Sequence, residues 1–71
     1  MGNVKIHLFE MLRLEDEAQK AKALLTLELL SNHASGIGGH STGDFYKNAE
    51  EALQMLVDAD DKLETLGKYF A

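Results

Sequence analysis

The chain has no cysteine, and that absence excludes disulfide staples, thiolate zinc sites and a cysteine nucleophile together. Redox compartment therefore leaves no mark in thiol usage. Proline is missing as well, so nothing forces a helix interior to break. Basic residues are scarce: seven Lys and Arg stand against twelve Asp and Glu, a formal net charge of −5. Binding to nucleic acid or to an anionic membrane surface rests on cations that neutralise phosphates, so neither partner is expected of this acidic chain. Long apolar runs are lacking too. No stretch approaches the roughly 18 residues of a membrane-spanning helix. Val4 to Leu14 is interrupted by Lys5, His7, Glu10 and Arg13, which spoils a signal-peptide pattern. A soluble, cytoplasmic protein is expected.

What remains is rich in Ala, Leu, Glu and Lys, the composition of long helices rather than of strands and turns. A chain of 71 residues has room for one domain, spanning 1–71, and for little interior. Ordering costs of roughly 1.5 kcal/mol per residue exceed what two lone helices bury. Small chains without disulfides meet that shortfall with a metal or by self-association.

The clearest pattern is the series Phe45, Ala49, Ala52, Leu56, Ala59, Leu63, Leu66, Phe70, spaced by alternate fours and threes. It is the seam of an amphipathic helix. In the first half, Val4, Leu8, Met11, Leu14, Ala18, Ala21, Leu25 and Leu29 recur at threes and fours, with Asn3 as a plausible cap. These residues are expected to face the second seam, with Ala18 and Ala21 giving a small surface to match Ala49, Ala52 and Ala59. A period-two strand over Val4, Ile6 and Leu8 is the weaker competitor. The spacing predicts helix 1 over about 4–31, a Gly-rich loop over 32–43 and helix 2 over about 44–67, where Gly67 offers a C-terminal stop. Two helices of matched length and one connection make an all-α, antiparallel two-helix hairpin.

Leu24, Leu25, Leu27, Leu29 and Leu30 point around nearly the whole of helix 1, more than one partner helix covers. Leu24, Leu27 and Leu30 are therefore expected at a subunit contact, joining two hairpins into a homodimeric four-helix bundle. The function this favours is a self-associating interaction or scaffold module, without catalytic activity and without a cofactor.

The loop supplies the alternative. It holds four of the six glycines, and His33 and His40 flank its Gly36 to Gly39 run. With Asp44 at the start of helix 2, the two histidines are candidate ligands for zinc or a similar metal, an imidazole and carboxylate set without a standard spacing. The glycines before a helix N-terminus also suggest a small-anion cradle, although no GxxxxGK[ST] pattern is present and Asp44 puts a negative charge at the site. Asp58, Asp60, Asp61 and Glu64 form the densest acidic run. They lie in a helix without the glycine turn of a calcium loop, and read as a solvated face. Ser31, Ser35, Ser41 and Thr42 lie near the histidines, but a glycine-rich loop holds no nucleophile and base rigidly, so no enzyme is expected.

Overall fold

The computed structural model describes residues 3–32 and 42–70, with side chains described from His7 to Asn32 and from Gly43 to Phe70. It contains two helices, α1 (Asn3–Asn32) and α2 (Thr42–Phe70), packed against each other along their length. There are no strands among the described residues, so the helical reading of Val4 to Leu8 holds over the period-two one. Among these residues no helix is long and apolar enough to cross a membrane.

Both helices outrun their sequence-based limits. α2 continues through Gly67 to Phe70, because a seam residue lies beyond the glycine: the Phe70 ring stacks on Phe9 at 4.4 Å between centroids, 18° from parallel. That contact outweighs the roughly 1 kcal/mol that glycine costs a helix. Hydroxyl residues inside the helices return their protons to the preceding turn. Thr26 donates to the Lys22 carbonyl, Ser31 to that of Leu27 and Thr65 to that of Asp61, each at 2.8–2.9 Å. Asp44 in the first turn of α2 and Lys68 in the last both suit the helix dipole.

The inner row of α2 is the seam read from the sequence. Ala52 and Ala59 are buried, and Phe45, Ala49, Leu56, Leu63 and Leu66 are half-buried. The inner row of α1 is a different one from that expected. Phe9, Leu12, Asp16, Ala23, Leu27 and Leu30 turn toward α2, with Asp16 and Ala23 buried and the others half-buried. Leu8, Met11, Leu14, Leu25 and Leu29 are each about half exposed, and Ala18 and Ala21 are exposed too. The buried small residue of α1 is Ala23. α1 carries two rows of helical period, and spacing alone does not say which of them meets the partner.

Phe9 level with Phe70, and Lys20 within 2.9 Å of Asp60, set the antiparallel register. The molecule is a rod of 55 × 18 × 15 Å with a radius of gyration of 16.2 Å, against about 11 Å for a compact domain of this length. A rod one helix pair wide covers each side chain from one direction only. That is why, among the described residues, the buried apolar ones are all alanines and no large side chain is fully enclosed.

Candidate functional site

The expected site residues fall in three groups. His33 and His40 lie outside the described residues, as does the whole Gly36 to Gly39 run between them. Asp44 is exposed in the first turn of α2, and Gly43, from the proposed anion cradle, belongs to that helix. Among the described residues no group of three or more His, Asp and Glu side chains is placed to hold a metal. Leu27 and Leu30 are half-buried on the inner row of α1, where Leu30 lines a groove with Ala52 and Met55, while Leu24 is 47% exposed.

The acidic run on α2 disperses as the helix requires. Asp60 pairs with Lys20 of α1, and Asp58 accepts a hydrogen bond from Gln54 at 2.9 Å. Lys20 thus reaches across to α2, although Asp16 stands one turn before it at the usual spacing for a helical ion pair. Arg13 donates to both carboxylate oxygens of Glu17 at 3.2 Å. These pairs are about half exposed, and each contributes between nothing and about 1 kcal/mol. They solvate the flanks of the rod and assemble no reactive constellation.

The clefts between the helices are open and shallow. One of about 490 Å³ lies beside the Phe9–Phe70 stack, between Arg13 and Leu66. Two of about 390 and 420 Å³ lie on either side of Asp16, the one charged residue among the described ones with little exposed surface. No buried side-chain polar atom among them lacks a partner, so no orphaned donor or acceptor waits in a cleft for a ligand.

The surface left over is the outer row of α1. At the helical pitch, Met11, Leu14, Ala18, Leu25 and Leu29 fall on one stripe about 150° around the helix from the row that meets α2, with Ala21 at one edge and Leu8 farther round on the other side. Its large side chains are between 47% and 55% exposed. It runs most of the length of a helix about 45 Å long and is flanked by Glu15 and Lys22 on one side and Glu10 and Glu28 on the other. Scattered exposed leucines are ordinary in proteins, but a continuous apolar row with a charged rim is the form of an interaction surface. Leu53 and Val57 on α2 form a shorter exposed row interrupted by acids. No protein-family model, no curated protein and no solved structure matches this chain.

Proposed function

We propose that the protein works by association: it is a non-catalytic helical hairpin that pairs with itself and serves as an interaction or scaffold module. The observation behind this is the second apolar row of α1, which the hairpin leaves uncovered. The surface area argues the same way. The chain exposes 5608 Å², where a compact monomer of 7.9 kDa would expose roughly 4,400 Å². The excess, on the order of 1,200 Å², exceeds the roughly 800 Å² each partner contributes to a standard interface. A homodimer brings four helices together and covers apolar surface that one hairpin has no second layer to cover.

Sedimentation equilibrium of the full chain tests the proposal, with circular dichroism as the check on folding. The expected result is a dimer in the micromolar range that Leu25→Glu converts to a monomer of unchanged helicity. A wild-type chain that stays monomeric into the high micromolar range overturns it.

A further inference from the structure

We infer that two copies meet through the outer row of α1 in antiparallel fashion, about a two-fold axis that passes beside Ala18; this rests on the self-association proposed above and specifies its geometry. The row is its own complement when reversed about that residue. Met11 comes level with Leu25 of the second copy, and Ala18 with itself. The small side chain falls where the helices cross and the large ones lie toward both ends. Alanine at the crossing lets the backbones approach closely, and the leucines then close around it.

Charge complementarity selects the direction. Glu15 and Lys22, both exposed, lie almost symmetrically before and after Ala18. At the helical pitch they fall on the same rim of the row. Antiparallel pairing brings Glu15 of each copy level with Lys22 of the other on that shared rim, giving two reciprocal ion pairs. A parallel pairing in register sets every residue level with its own copy, so Glu15 meets no cation. Glu10 and Glu28 occupy the opposite rim, farther round toward water, where their repulsion is screened.

The placement of the row also fixes the order of helices. Because it lies nearly opposite the face that meets α2, the two α1 helices form the middle and the α2 helices flank them. The four helices then make an open row in place of a square bundle.

The absence of native cysteine makes the test direct. Met11→Cys and Leu25→Cys variants of the full chain, checked for helicity, are oxidised separately and as a mixture. The expected result is a disulfide between the two variants in the mixture, and little dimer from either alone. Glu15→Lys is expected to weaken the dimer about tenfold in sedimentation, and Glu15→Lys with Lys22→Glu to restore it. A disulfide within each separate variant indicates parallel pairing and overturns this arrangement while leaving self-association standing. A wild-type dimer in which neither cross-link forms excludes the row as the contact. A wild-type monomer overturns both the arrangement and the proposal beneath it.

Discussion

α1 and α2 are 30 and 29 residues long, yet they distribute apolar side chains in opposite ways. α2 gathers most of them on one long row, which the hairpin covers, and leaves only a short row with Leu53 and Val57 exposed. α1 has two rows on nearly opposite sides, and the hairpin covers one of them. The covered row of α1 is also the poorer, because Asp16 interrupts it where the exposed row has leucine and methionine in its outer turns. That open side is the surface the proposed association uses.

The sharpest contrast is between two alanines. Ala59, on the inner row of α2, is 1% exposed, whereas Ala18 is open on the outer row of α1. Ala59→Asp buries an unpaired carboxylate between the helices and should cost 3 kcal/mol or more on the order-of-magnitude scale of such burials. Loss of cooperative unfolding by circular dichroism is the expected sign, and a wild-type melt would show that the inner rows are misassigned. Ala18→Asp should leave helicity intact and abolish dimerisation in sedimentation, so the pair of variants separates folding from association.

Asp16→Leu should complete the inner row of α1 and raise stability by about 1 kcal/mol, since the clefts on both sides of the residue give the larger side chain room. The midpoint of urea unfolding measures it. A fall instead would mean that the carboxylate itself helps to hold α2. Gly67→Ala tests the continuation of α2. The glycine is helical and exposed, and an added Cβ meets nothing within 4 Å, so a gain of about 0.5–1 kcal/mol is expected in the same assay. Lys20→Ala should produce the smallest change, a loss of about 0.5 kcal/mol that shrinks in high salt, because the Lys20–Asp60 pair is nearly half exposed.

The same contrast explains what is legible in the sequence. The row on α2 can be read directly, because it runs the length of the helix while the other, with Leu53 and Val57, is short. On α1 the eye follows the longer series, from Leu8 through Met11 to Leu29. The series that packs contains an aspartate at position 16 and an alanine at 23, and neither advertises a core. The antiparallel hairpin was readable from the matched lengths, but the register rests on two pairs, Phe9 with Phe70 and Lys20 with Asp60, whose members are far apart in sequence. Gly67 misleads because local propensity signals a stop that a distant aromatic contact overrides. As for the candidate site, the excess of leucine in the last turns of α1 signals an exposed surface and suggests Leu24, Leu27 and Leu30 for the contact; Leu24 is exposed, unlike Leu27 and Leu30. Those two residues lie half-buried on the inner row.

The aromatic stack has a consequence for how the rod forms. Contacts near the connection, such as those around Leu30 and Met55, close short loops; the Phe9–Phe70 stack closes a loop more than twice as long. Each doubling adds about 0.6 kcal/mol of closure entropy, so the stack is the costlier contact to close. Phe9 and Phe70 therefore act as a clasp: they decide how far the helix pair stays closed, and with it how much of α1 is held straight enough to present its outer row to a second copy.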